Sequence, residues 1–222
     1  MELTYILDFD STLVAVESLD ELARLALKDN PEGEKRLLEL HLLTAEGMSG
    51  RLSFDETLKR RLQLFSANRS HIAELVMLLK DAITDSALEL EDWFEENADD
   101  IYVVSGGFED YIIPVVAELG IAPSHVFANK FIYDENGNIT GFDESRHVSK
   151  NQGKASQVAE MQLASPIVAI GDGIADYEIR ARGEADEFWA FTQHIARPVV
   201  VERADRVLES FEDIEQLARS IA

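Results

Sequence analysis

The chain has 222 residues, 46 % of them hydrophobic and 28 % charged. That balance excludes a disordered chain and suits one large domain, or a core with a small insert. No apolar run approaches the ~18 residues of a membrane helix. The absence of cysteine excludes disulfides and thiolate metal sites and suits a reducing cytosol. A net charge of −23 argues against nucleic acid and anionic membranes as partners. Met1 leads into a strand-like stretch with no basic segment, so no secretory leader is expected.

In chain order, Leu3–Leu7 reads as a short buried strand ending at Asp8-Phe9-Asp10-Ser11-Thr12. A mainly helical run follows. Ser18-x-x-Glu21 has the form of a capping box, with Leu19, Leu22, Ala23, Ala26 and Leu27 at helical spacing behind it. Pro31 opens a second helix through about Leu43, Met48–Arg51 is a break, Phe54–Phe65 is a third helix, and Ser70 caps a fourth through about Lys80. From Val14 to Ala82 there are ten Lys/Arg against twelve Asp/Glu, whereas the remainder holds ten against thirty-one. This near-neutral stretch inside a very acidic frame is the mark of an inserted module.

Beyond Asp85 helices alternate with strands. Helix Ala87–Glu96 precedes strand Ile101–Val104, Ser105-Gly106-Gly107 and helix Glu109–Leu119. Asn136-Gly137 marks a hairpin between Phe127–Tyr133 and Ile139–Phe142. Helix Lys154–Leu163 leads to strand Ile167–Ile170, which ends at Gly171-Asp172-Gly173. The alternation predicts an α/β fold with a parallel sheet covered on both faces, interrupted after its first strand by a four-helix insert. The expected boundaries are 1–13 with 83–222 for the core and 14–82 for the insert. The ligand belongs beyond the carboxyl ends of the strands.

Three strand ends carry chemistry. Asp8 and Asp10 are two apart in extended chain, so both carboxylates start on one side; with Asp172 they can form an oxygen-rich Mg²⁺ site. A lone Asp-x-Asp is more often merely structural. Here it occurs in order with a Ser-Gly-Gly, a Gly-Lys helix start and a Gly-Asp-Gly. Ser105-Gly106-Gly107 lets backbone approach an anion, and Lys154 beside Gly153 can neutralise a phosphate. Arg61 falls within the apolar stripe of Phe54, Leu58, Leu62 and Phe65, where a cation needs an anionic partner, either a structural carboxylate or a ligand. Glu17 precedes the Ser18 helix start, where a hydrophobic staple residue is usual; alone it reads as an exposed carboxylate.

These ordered motifs resemble the haloacid dehalogenase superfamily and, within it, the phosphoserine phosphatase family, over nearly the whole chain. Asp8-Phe9-Asp10-Ser11-Thr12 is similar to the first motif, Ser105-Gly106-Gly107 to the second, Lys154 to the third, and Gly171-Asp172-Gly173-Ile174-Ala175-Asp176 to the fourth. Glu17, nine residues after Asp8, and Met48, Phe54 and Arg61 in the insert carry the narrower likeness. The resemblance implies a Rossmann-like doubly wound sheet with a small helical cap. It implies a phosphomonoester hydrolase with Asp8 as nucleophile and Asp10 as general acid/base. Mg²⁺ would be held by Asp8, Asp172 and the Asp10 carbonyl, supported by Asp176. Phosphate would lie against Ser105, Gly106 and Lys154, and the substrate against Met48, Phe54 and Gly107, with its ammonium at Glu17 and its carboxylate at Arg61. Two features depart from the pattern: Ala175 replaces a polar residue, and the stretch between Lys154 and Asp172 is short, which brings Lys150 in as a second candidate lysine. Phosphotransfer to an alcohol such as homoserine uses the same motifs. A phospho-accepting signalling module is the reading from another class, disfavoured by the length of the chain and the Asp-x-Asp.

Overall fold

In a computed structural model of the chain, residues 3–48, 51–164 and 166–218 are described, apart from the side chains of Met48 and Glu215. Strand β1 (Thr4–Leu7) is followed by helices α1 (Ser18–Leu27), α2 (Gly33–Met48), α3 (Phe54–Leu62) and α4 (Arg69–Asp81). Then come α5 (Asp85–Leu88), α6 (Glu91–Glu96), β2 (Ile101–Phe108), α7 (Glu109–Val116) and β3 (Val126–Asn129). The hairpin β4 (Phe131–Tyr133) and β5 (Ile139–Phe142) precedes α8 (Gly153–Met161), β6 (Ile167–Gly171) and α9 (Ile174–Ala181). The chain closes with β7 (Glu187–Phe191), α10 (Pro198–Val201), β8 (Arg206–Leu208) and α11 (Ile214–Ala218).

Six strands form one parallel sheet in the order β3-β2-β1-β6-β7-β8. Buried on both faces, β1 reads as a continuous apolar run: Tyr5 and Leu7 join the core on one face, Ile6 the core on the other. Strand order reverses about β1, so the ends of β1 and β6 flank the crevice where α/β sheets bind ligands. The β4–β5 hairpin stands apart, with Gly137 at φ +80° in its turn.

The helical run leaves and re-enters the α/β part at adjacent points. Val14 bridges antiparallel to Ile83, Ala15 N–H donates to the Ala82 carbonyl, and Thr84 N–H donates to the Leu13 carbonyl. The helices do not have a core of their own. Leu22, Leu58 and Leu75 belong to one apolar cluster with Phe9, Phe108 and Tyr111 from the α/β part.

Several local expectations are corrected. Ser18 is the first residue of α1 rather than its cap; its buried hydroxyl donates to Tyr111 Oη (2.9 Å), which removes it from capping. Asn68, not Ser70, caps α4, in a capping box with His71. Helix α2 runs on to Met48 instead of stopping near Leu43, and Ser49 and Gly50 of the expected break lie outside the described residues. The Ala87–Glu96 helix divides into α5 and α6 at a turn closed by Leu90 N–H on the Ala87 carbonyl. Strand β2 continues through Ser105-Gly106-Gly107 to Phe108, because Asn129 Nδ2 donates to the Gly106 carbonyl (2.8 Å) and keeps that segment extended beside β3. The three residues therefore lie in the strand end and do not open α7.

Candidate active site

Asp8 immediately follows β1, and its backbone N–H donates to the Ile170 carbonyl of β6 (2.9 Å). Its Oδ1 accepts the Phe9 N–H (2.7 Å) and faces Lys154 Nζ at 2.6 Å. From the first turn of α8, Lys154 Nζ also donates to Asp176 Oδ1 at 2.8 Å. Burial alone lowers the Lys154 ammonium, but Asp176 and Asp8 hold it above its ordinary value. Lys150, the alternative lysine, is exposed and reaches only the Ser145 carbonyl.

Asp172 follows β6, and Asp176 lies in the first turn of α9 with its Oδ2 accepting the Gly173 N–H (3.1 Å). Gly171 makes room for it: a Cβ there would lie 2.3 Å from Asp176 Cγ. The side chains of Asp8, Asp172 and Asp176 converge, each offering an oxygen within 4.8 Å of the others. Burial, and then the Asp8 charge, push the Asp176 carboxyl up to about 7 against the pull of Lys154. An all-oxygen set of crowded carboxylates suits a hard divalent cation. Asp176, expected behind a metal, lies within reach of the other two, with Oδ1 engaged by Lys154 and Oδ2 by the Gly173 N–H. Arg197, just before α10, also ion-pairs with Asp172.

The Asp10 side chain is absent from that cluster. Its Oδ1 accepts the Ser18 N–H (2.9 Å), one of the free N–H groups opening α1. Desolvation first, and then the Glu17 and Asp8 charges, raise Asp10 to about 8 against the Ser18 N–H. A carboxyl held protonated near neutrality is equipped to give up a proton. Between the two acids, Ser11 takes φ 54°, a left-handed conformation unusual outside glycine. Its hydroxyl donates to Glu17 Oε1 (2.9 Å). Glu17 is raised by burial, opposed by Ser11 and then by Arg61.

Ser105 is buried, and its Oγ accepts the Gly107 N–H (3.0 Å). A Cβ on Gly106 would meet the Phe54 ring at 2.7 Å, so the glycine lets α3 close onto the strand end. Phe54 N–H donates to Asn151 Oδ1 (2.7 Å), and Lys59 pairs with Glu144 (2.7 Å) across the same seam. Arg61, at the far end of α3, donates from Nη2 to Asp20 Oδ1 at 2.5 Å, while its buried Nε has no partner among the described residues. Met48 ends α2, but its side chain lies outside the described residues.

The structure therefore gathers Asp8, Asp172, Asp176 and Lys154 at the β1/β6 crevice and links Glu17 to Asp10 through the Ser11–Ser18 segment. Sequence reading missed Asp20, Tyr111, Asn151 and Arg197 as neighbours of this site. Asp20 alone carried a local signal, lying one helical turn after Glu17; the others arrive from distant parts of the chain.

Two carboxylates on one strand end, a buried lysine and an acidic cluster at the edge of a parallel sheet describe a site for an anionic substrate and a hard cation. A family model for haloacid dehalogenase-like hydrolases matches residues 5–181. The chain is 33 % identical over 210 residues to a chloroplastic phosphoserine phosphatase of Arabidopsis thaliana, covering 93 % of this chain and 68 % of that protein. A phosphoserine phosphohydrolase-like protein of Francisella tularensis superposes with a TM-score of 0.85 at 28 % identity, over 96 % of this chain and 98 % of that one. A phospho-aspartyl intermediate analogue of phosphoserine phosphatase superposes at 0.76, also at 28 % identity, over 98 % of this chain and 99 % of the other. The chain belongs to the haloacid dehalogenase-like hydrolases and, within them, to the phosphoserine phosphatase family. It is a phosphatase. Among the described residues no helix is long and apolar enough to cross a membrane.

Proposed function

We propose that this enzyme hydrolyses phosphoserine to serine and phosphate through an aspartyl-phosphate on Asp8, with residues 14–82 acting as the cap that selects the substrate. Asp8 Oδ1 is occupied by Phe9 N–H and Lys154, which leaves Oδ2 to attack phosphorus. As that bond forms, the ester P–O bond breaks and Asp10 gives its proton to the departing serine oxygen. Water then enters: its oxygen bonds to phosphorus as Asp10 takes its proton, the Asp8 oxygen–phosphorus bond breaks, and phosphate leaves with the Asp8 carboxylate restored. Lys154, between Asp8 and Asp176, is placed to offset phosphoryl charge, together with backbone N–H groups at Ser105-Gly106-Gly107. Asp8 and Asp172, with the Asp10 carbonyl, would hold Mg²⁺, supported by Asp176; when bound it would neutralise phosphoryl oxygens and draw the dianion to a carboxylate nucleophile.

The observation that carries the substrate is Arg61. Its guanidinium is largely buried and its Nε has no partner among the described residues, although Asp20 already takes one Nη. A buried, unsatisfied guanidinium N–H is costly, and a substrate carboxylate satisfies it. Glu17, partly buried and acidic, supplies the counter-charge for an ammonium group. A substrate with phosphate, carboxylate and ammonium fits all three. The test compares phosphoserine with phosphoethanolamine, which lacks the carboxylate. Loss of a desolvated Arg–carboxylate contact is worth about 2–5 kcal/mol, or roughly tens- to thousands-fold. Arg61→Ala should lose at least about tenfold more kcat/KM on phosphoserine than on phosphoethanolamine, and Glu17→Gln should weaken both. Equal losses in Arg61→Ala would remove the support for phosphoserine. Product analysis with added homoserine separates hydrolysis from transfer.

A further inference from the structure

Arg61 and Glu17 carry opposite charges, are both partly buried and act on one another electrostatically, yet they form no ion pair among the described residues. Opposite charges withdrawn from water attract strongly. Here two contacts engage the groups separately. Glu17 Oε1 is occupied by the Ser11 hydroxyl, and Arg61 Nη2 is drawn to Asp20 Oδ1 at 2.5 Å. Asp20 lies three residues after Glu17, on the same side of α1. Helix α2 steadies it: the Thr44 hydroxyl donates to Asp20 Oδ1 (3.4 Å), and His41 Nε2 stands 3.5 Å from Oδ2. The Arg61 and Asp20 side chains are 12 % and 15 % exposed, so this contact is only weakly screened. Arg61 nonetheless acts on Glu17 electrostatically, pulling its carboxyl down against burial.

We propose that Asp20 keeps Arg61 and Glu17 apart, so that both groups remain available to a zwitterion instead of neutralising one another. This rests on the phosphoserine reading of the pocket and adds a residue that touches no substrate atom. It separates Asp20 from a residue that merely aims Arg61. Without Asp20, Arg61 swings to Glu17 and consumes both recognition groups, so an amine substrate lacking a carboxylate suffers too.

The experiment measures KM and kcat for phosphoserine and phosphoethanolamine with wild type, Asp20→Ala, Asp20→Asn, Arg61→Ala and the Asp20→Ala/Arg61→Ala double variant. Asp20→Ala should raise KM for both substrates by about tenfold or more, while kcat at saturation changes by less than about threefold. Asp20→Asn should show a smaller rise, since its amide oxygen still accepts from Arg61. The double variant should recover KM for phosphoethanolamine to the Arg61→Ala value, because no cation remains to occupy Glu17. A purely structural role gives no such recovery. Failure of the double variant to recover overturns the proposal, as does an Asp20→Ala loss confined to phosphoserine. If Asp20→Ala does not fold, Asp20→Asn and its double variant make the same comparison. Equal losses on both substrates in Arg61→Ala alone would instead overturn the phosphoserine reading beneath it.

Discussion

Replacing Lys154 by methionine removes the cation that lies 2.6 Å from Asp8 Oδ1 and 2.8 Å from Asp176 Oδ1. Three carboxylates and two cations meet at the crevice, so the change takes the local charge from −1 to −2. Each contact is worth about 6 kcal/mol of gross attraction at an effective dielectric of ~20. Most of that is offset by the desolvation of the lysine, so the net loss on removing one partner of such a buried set is about 3–5 kcal/mol. Within a total stability of roughly 5–15 kcal/mol this is a large fraction, equivalent to a fall in Tm of about 6–20 °C for a domain of this size. Calorimetry in EDTA should show that fall for Lys154→Met and a much smaller one for Lys154→Arg. Added Mg²⁺ should shrink the deficit, because a bound cation takes over the neutralisation. Acidification should shrink it as well, since Asp176 already stands at about 7 with its lysine present and protonates still more readily without it. A deficit below about 1 kcal/mol in EDTA at pH 8 would refute the view of Lys154 as the counter-ion of this cluster.

Two further outcomes follow from the geometry. Gly106→Ala puts a Cβ 2.7 Å from the Phe54 ring; overpacking of about 1–3 kcal/mol should fall mainly on closure of α3, lowering kcat/KM by roughly tenfold, with Phe54→Leu on the same background restoring part of it in steady-state assays. In metal-free protein Asp10 and Asp176 are raised to about 8 and about 7, so their neutral forms belong to the folded state. Their contribution to stability is complete below the ordinary carboxyl range and is lost as pH rises through about 7–8, the reverse of a salt-bridged carboxylate. Chemical denaturation in EDTA across that window should show the decline, and Asp10→Asn should flatten it; an unchanged slope would contradict the assignment.

Much of the fold was legible because its signals are local. Buried parallel strands read as short apolar runs, and Asn136-Gly137 announced the hairpin. The residues that meet at the crevice were legible because they stand at strand ends, or in the case of Lys154 at a helix start, in a fixed order. What was missed depended on partners far away in sequence. Ser18 looks like a cap until Tyr111, 93 residues later, takes its hydroxyl. Ser105-Gly106-Gly107 looks like a helix opening until Asn129 holds Gly106 in the sheet. Arg61 was recognised as a cation needing an anion. Spacing along α3 cannot show that Asp20 on α1 supplies one and leaves Nε without another.

The central claim is that Asp8 carries the phosphoryl group during turnover of phosphoserine. Rapid acid quench with phosphate-labelled phosphoserine, followed by peptide mapping, tests it directly. The account predicts transient label on the peptide containing Asp8, formed and lost at rates compatible with turnover and absent from Asp8→Asn, which should also lose several orders of magnitude in kcat. Phosphate release at the normal rate with no labelled enzyme, or label on any residue other than Asp8, would contradict it.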